Sequence, residues 1–198
     1  SARATPLSGL LPFWAIYVII AAMAGLMMMP ATQVPFLLQA HGVADPVIRS
    51  RVIACSALAS IMAAASFPLV RGWLGEVGTF RVILAAYAAG TAVLSLSATA
   101  ALAALGCFLM GLGTGLFSPF FASLLIARTD AGLRGRAIGF MFGAIFFSEF
   151  ASPLVVLPLR HAFGVNGGFA ALSCAIVAGL VATTVHPPFR QTALREVG

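Results

Sequence analysis

Between Arg134 and Arg160 the chain reads RGRAIGFMFGAIFFSEFASPLVVLPLR, an apolar run of membrane-crossing length with one acid, Glu149, set in its middle. A helix rises about 1.5 Å per residue, so this stretch covers a hydrocarbon core about 30 Å thick. Glu149 then lies roughly 22 Å from one flanking arginine and roughly 16 Å from the other, near the midplane. A carboxylate at that depth is costly unless it is protonated, paired or open to a wet cavity, so it is read by default as functional. The competing reading is structural: a protonated Glu hydrogen-bonded to a neighbouring helix.

The rest of the chain has the same character. Of its 198 residues 61% are hydrophobic and only 8% charged, and the mean hydropathy is +1.07, far outside the profile of a soluble domain. The net charge of +6 comes from eleven arginines and no lysine. These fall between apolar runs, which makes them topology signals rather than a phosphate-reading face, so no nucleic-acid partner is expected. Cys55, Cys107 and Cys174 lie inside apolar runs without metal-ligand spacing and read as free thiols. The Met27-Met28-Met29 run covers nearly a full helical circle and reads as adaptable packing. No metal or other cofactor is expected. The start, with Arg3 and AAMAG near residues 21 to 25, imitates a signal peptide, but the apolar run continues to Leu38. It is read as a membrane helix in a chain whose beginning is missing or processed.

Hydropathy divides the chain into six spans: about Pro12 to Gln39, Val47 to Val70, Thr79 to Leu96, Ala98 to Ala127, Arg134 to Leu159 and Val165 to Val185. Pro30 and Pro35 loosen the far end of the first. With a cytoplasmic N-terminus, Arg3, Arg71, Arg81, Arg128, Arg134, Arg136, Arg190 and Arg195 lie inside, against Arg49, Arg51 and Arg160 outside. That bias fits the positive-inside rule and puts both termini in the cytoplasm, with residues 187–198 as a tail. Gly111, Gly115 and Ser123, with Pro119 between the last two, and again Gly135, Gly139 and Gly143, are spaced in fours and read as stripes for close helix approach in lipid. Glu149 lies on a different face from Gly139 and Gly143.

The chain also matches itself at an offset of 85 residues: Asp45-x-x-x-Arg49-Ser50-Arg51 aligns with Asp130-x-x-x-Arg134-Gly135-Arg136, and Pro68-Leu69-Val70 with Pro153-Leu154-Val155. Chance is the competing explanation in a chain so rich in Ala, Leu and Val; the Asp, the two Arg and the Pro carry the weight. A three-helix unit repeated once is inverted in the membrane. The expected fold is therefore a single all-α membrane bundle of six transmembrane helices as two inverted three-helix repeats, residues 10–97 and 98–186. Glu149 falls on Ala64 and is not explained by the repeat.

Taken together, Pro30-Ala-Thr-Gln33-Val-Pro35-Phe, His41-Gly42-Val-Ala-Asp45, Gly111-x-Gly113-x-Gly115-x-x-x-Pro119 and Arg134-Gly135-Arg136-Ala137 resemble the C-terminal six-helix half of a major facilitator superfamily transporter. The resemblance covers nearly the whole chain. Members often carry Gly-x-x-x-Asp-Arg-x-Gly-Arg in the cytoplasmic loop after the second helix of a half. Here that loop reads Arg71-Gly-Trp-Leu-Gly-Glu76-Val-Gly78-Thr-Phe-Arg81, with Glu76 standing in for the acid. Arg71, Glu76, Arg81, Arg134 and Arg136 are loop or gating candidates, with topology-fixing charge as their alternative role.

The resemblance implies a secondary active transporter working by alternating access, such as a proton-coupled exporter of drugs, sugars or metabolites, in a bacterial inner membrane. Its partners are a small-molecule substrate, protons, the bilayer, and a further half upstream or in a second copy. Glu149 is the candidate for proton coupling or substrate binding. Gln33, Phe36, Phe117, Ser148 and Ser152 are cavity candidates, each with helix packing as its alternative role. Rival classes are a non-transporting membrane scaffold or an intramembrane enzyme. No catalytic residue is expected: Ser118 lacks a Gly-x-Ser-x-Gly setting, His41, His161 and His186 lie at span ends, and no His-Glu-x-x-His pair occurs.

Overall fold

A computed structural model of the chain describes residues 13–185. The expected tail over 187–198, together with Arg3, Pro12, His186, Arg190 and Arg195, lies outside the described residues. The described structure is entirely helical: α1 (Trp14–Met27), α2 (Met29–Thr32), α3 (Val34–Ala40), α4 (Pro46–Ser95), α5 (Ala100–Arg128) and α6 (Arg134–Val185).

Proline chemistry divides the first of these segments. Pro30 and Pro35 sit at the first turns of α2 and α3, where a missing N–H costs least, and each ends the helix before it. Asp45 opens α4: its backbone is extended and its carboxylate accepts from Val47 N at 2.8 Å, ahead of Pro46 in the first turn. Thr99 caps α5 in the same way, accepting from Leu102 N at 3.3 Å. Pro68, Pro119, Pro153 and Pro158 all lie inside helices, as membrane-type helices tolerate.

The expectation of six transmembrane helices as two inverted three-helix repeats is corrected by this structure. Among the described residues four helices are long and apolar enough to cross a membrane: Trp14–Thr32, Pro46–Ser95, Ala100–Arg128 and Arg134–Val185. At 71–78 and 160–164, where charge and glycine predict loops, helical structure is interrupted at a single residue only. Neither stretch contains a proline to interrupt the backbone ladder. One residue in each leaves helical geometry, Gly75 at φ 66 and ψ −169 and Gly164 at φ 70 and ψ 179, a conformation open in practice only to glycine.

Positions paired at the 85-residue offset are also placed unequally. Arg49 Nε and Arg134 Nε both turn back to a carbonyl upstream, on Val43 and Thr129. Asp45, however, caps α4 with its side chain, whereas the main-chain carbonyl of Asp130 accepts from Leu133 N. Gly111 and Gly115 are packed against α4, whereas a Cβ on Gly135, Gly139 or Gly143 would meet nothing within 4 Å.

The chain reverses direction at Gly75, and the contacts of α5 show it. Along the first limb of α4 the register ascends, with Ser56 beside Gly111, Ser60 beside Gly115 and Arg71 beside Ser123. Along the second it descends, with Phe80 stacked on Phe120, the Tyr87 hydroxyl 3.1 Å from Thr114 Oγ1, Gly90 beside Met110 and Leu94 beside Gly106. Buried Phe80, Tyr87, Phe117, Phe120 and Phe121 fill this interface, with Phe117 and Phe121 ring centroids 4.9 Å apart.

α6 joins the bundle through both of its limbs. The second runs antiparallel to the second limb of α4: Asn166 donates to the Ser95 and Ser97 carbonyls, Ser173 to Ala88 and Arg81 to Thr183. The first lies along α1, where Tyr17 donates to the Ala137 carbonyl and Ser148 to that of Ala21.

The glycine contacts give a test. A Cβ on Gly115 would collide with the Ser60 carbonyl oxygen and stand 2.8 Å from Ala63 Cβ, both fixed parts of α4. Gly115→Ala should cost about 1–3 kcal/mol of stability, read as a lower thermal unfolding midpoint in detergent. Gly139→Ala, which meets no neighbour, should leave the midpoint unchanged or raise it.

Candidate functional site

Glu149 lies midway along the first limb of α6, half-buried. Among the described residues no hydrogen bond or ion pair reaches its carboxylate. Its position around the helix explains this. Ala137, Met141, Ile145 and Val156 are buried, while Phe146, Phe147, Phe150 and Leu154 are 64–80% exposed. At about 100° per residue, Glu149 falls on the border between the packed and the open face.

Of its neighbours, Ser148 is committed to packing: it donates to the Ala21 carbonyl and lies 3.4 Å from where a Cβ on Gly25 would stand. Ser152 is half-buried one turn further on. Phe117, expected as cavity wall, is fully buried in the aromatic cluster between α4 and α5. Gln33 and Phe36 are brought together elsewhere. Gln33 lines a small cleft with Met29, Val156, Arg160 and Phe169, and the Arg160 guanidinium carbon sits 4.5 Å from the centre of the Phe36 ring.

The loop candidates divide into two groups. Arg71 and Glu76, on either side of the Gly75 reversal, form an ion pair at 3.1 Å. The second Glu76 oxygen takes Arg128 Nη2 at 2.8 Å, at the last turn of α5. Arg71 also donates to Ser123, whose hydroxyl donates to the Phe120 carbonyl at 2.8 Å. One carboxylate thus bridges two guanidiniums and ties the turn of α4 to the end of α5. Side-chain exposures of 29% and 32% for Arg71 and Glu76, against 14% for Arg128, place the cluster at the rim rather than in the core. Arg81 is placed apart from them, donating from Nη2 to the Thr183 carbonyl at 2.8 Å with its Nε buried and without a partner. Arg134 and Arg136 are exposed at the start of α6, and Arg134 Nε donates to the Thr129 carbonyl at 3.3 Å.

Arg128 joins the site only in the folded chain. Its partner is 52 residues away, and no local spacing marks that pairing; the only signal was a basic residue closing an apolar run opposite an acid in a turn at the same end. Among the described residues no group of three or more His, Cys, Asp or Glu is placed to hold a metal ion, and the three cysteines are free thiols.

The fold and these groups define a helical protein with four helices long and apolar enough to cross a membrane, a rim charge cluster and one acid midway along an apolar helix limb. No protein-family model, curated protein or solved structure matches the chain.

The bridging carboxylate can be tested on its own. Glu76→Gln removes both ion pairs and leaves Arg71 and Arg128 facing a neutral amide. Stability should fall by about 1 kcal/mol at low salt, as for partly exposed pairs, and the difference from wild type should shrink at high salt. Thermal unfolding of both proteins across a salt series reads this directly.

Proposed function

We propose that the chain belongs to a secondary active transporter of the major facilitator type, carrying a small molecule by alternating access with proton coupling through Glu149. One observation carries this reading: a half-buried carboxylate in the middle of an apolar, membrane-length helix limb, with no intramolecular partner among the described residues and an uncovered face beside it. A carboxylate engaged by a partner inside the fold has a structural role already. An unpartnered one on the edge of an open face is placed to meet a proton or a substrate in the path.

In this reading the present helices supply one wall of the substrate path, and a further bundle, upstream on the same polypeptide or in a second copy, supplies the other. The protein resides in a bacterial inner membrane with both ends of the chain cytoplasmic, and the Arg71–Glu76–Arg128 cluster braces that side. Efflux of drugs, sugars or metabolites is the transport class we assign.

The decisive experiment compares the full-length protein with Glu149→Gln in inverted membrane vesicles, following dissipation of a proton gradient when compounds from a panel of drugs and sugars are added. Wild type should dissipate the gradient with at least one compound, and Glu149→Gln should fall to the level of empty vesicles at equal protein content. Undiminished proton-linked activity in Glu149→Gln would remove the coupling role. No response to any compound from wild type, combined with a cellular defect that Glu149→Gln does not reproduce, would favour a scaffold.

A further inference from the structure

The end of the molecule opposite the Arg71–Glu76–Arg128 cluster carries a second polar feature, which the transport reading does not use. Here the α3–α4 turn, the α4–α5 turn and the Gly164 reversal come together, the last held by Asn166 donating to the Ser95 and Ser97 carbonyls at 3.0 and 3.2 Å. Arg160, four residues before Gly164, is half-buried. No carboxylate among the described residues pairs with it. Its guanidinium carbon lies over the Phe36 ring, 4.5 Å from the centroid, and no hydrogen bond among the described residues engages its N–H groups. Gln33 lines the same cleft, and its side-chain amide has no hydrogen-bond partner among the described residues. The walls around these two groups are apolar: Met29, Leu159, Phe169 and Leu172.

Two half-buried donors without internal partners converge on one apolar cleft, where both are open to an acceptor from outside the fold. The charge balance says of what sign. Arg49, Arg51 and Arg160 lie at this end with a single acid, Asp45, and its carboxylate is already engaged by Val47 N. The cleft has a volume of about 10 Å³, about the room one water needs, so it does not enclose a solute. A ligand sits at its mouth, with its charged oxygens toward Arg160 and the rest of it outside.

We propose that Arg160 and Gln33, with Phe36 as platform, form a binding site for a phosphate oxyanion, carried either by an anionic lipid headgroup or by free phosphate. A planar guanidinium with a free edge matches two phosphate oxygens at once. The Gln33 amide supplies a further N–H, and the apolar rim suits the glycerol and upper acyl portion of a lipid. The site does not depend on transport or on Glu149.

The test uses the full chain in nanodiscs of phosphatidylcholine with a minor fraction of phosphatidylglycerol, counting retained phosphatidylglycerol by native mass spectrometry with and without added inorganic phosphate. Wild type should retain phosphatidylglycerol, and Arg160→Gln should lower its apparent affinity by roughly tenfold, the loss of one charge-assisted contact. Retention that millimolar phosphate does not displace assigns the site to the headgroup; retention that phosphate competes away assigns it to the free oxyanion. Phe36→Leu, which keeps the charge and removes the platform, provides a second reading if Arg160→Gln fails to fold, as judged by circular dichroism and size exclusion, and should weaken retention several-fold. Equal retention by wild type, Arg160→Gln and Phe36→Leu, with no effect of phosphate, overturns the proposal.

Discussion

Gly111 and Gly115 let α5 lie with its backbone directly against the carbonyls of Ser56 and Ser60 on α4. These helices are long and apolar enough to cross a membrane, and helices in lipid are held together by close packing rather than by burial of apolar surface. Small residues on one face of α5 supply that packing to the first limb of α4, while large aromatic side chains on its other faces fill the space toward the second limb. α5 is therefore the central post. The reversal at Gly75 wraps α4 around it, and the second limb of α6 closes on the outer face of α4 through Ser173 and Arg81.

Polar groups are distributed according to the same constraint. Mid-helix hydroxyls mostly turn back to carbonyls of their own helix, as Thr91 does to Tyr87 and Ser66 to Ala63, and so add no unsatisfied group to the interior. Ion pairs are placed at the rim, where water screens them and desolvation is cheap. At one end two arginines share a carboxylate; at the other an arginine rests on a ring instead. The two ends of the bundle are thus chemically unlike: at one a carboxylate bridges two arginines, at the other an arginine has no carboxylate partner among the described residues.

Much of this was legible from residue types. Helicity, the apolar segments, the breaks at Pro30 and Pro35 and the packing role of Gly111 and Gly115 all follow from local chemistry that a sequence displays. Loops at 71–78 and 160–164 did not follow, because charge and glycine raise the cost of a helix without abolishing its hydrogen bonds; a single glycine in an extended, positive-φ conformation turns the chain instead. The even spacing of Gly135, Gly139 and Gly143 promised a neighbour that the described chain does not provide. Spacing records which side chains share a face and says nothing about what lies opposite. For the same reason adjacency in sequence groups Glu149 with Ser148 although only the serine is hydrogen-bonded to α1, and no local pattern points from Glu76 to Arg128.

The bare stripe on α6 has a mechanical meaning. Helices pack by setting the ridges of one into the grooves of the other, and the ridges are side chains. From Gly135 to Gly143 one strip of the helix surface has no Cβ at every fourth position, with Phe140 and Phe142 standing on its two sides, 51% and 44% exposed. Such a strip is a smooth track between two rails: a helix laid along it meets no step as it shifts lengthwise, while sideways displacement is blocked by aromatic rings.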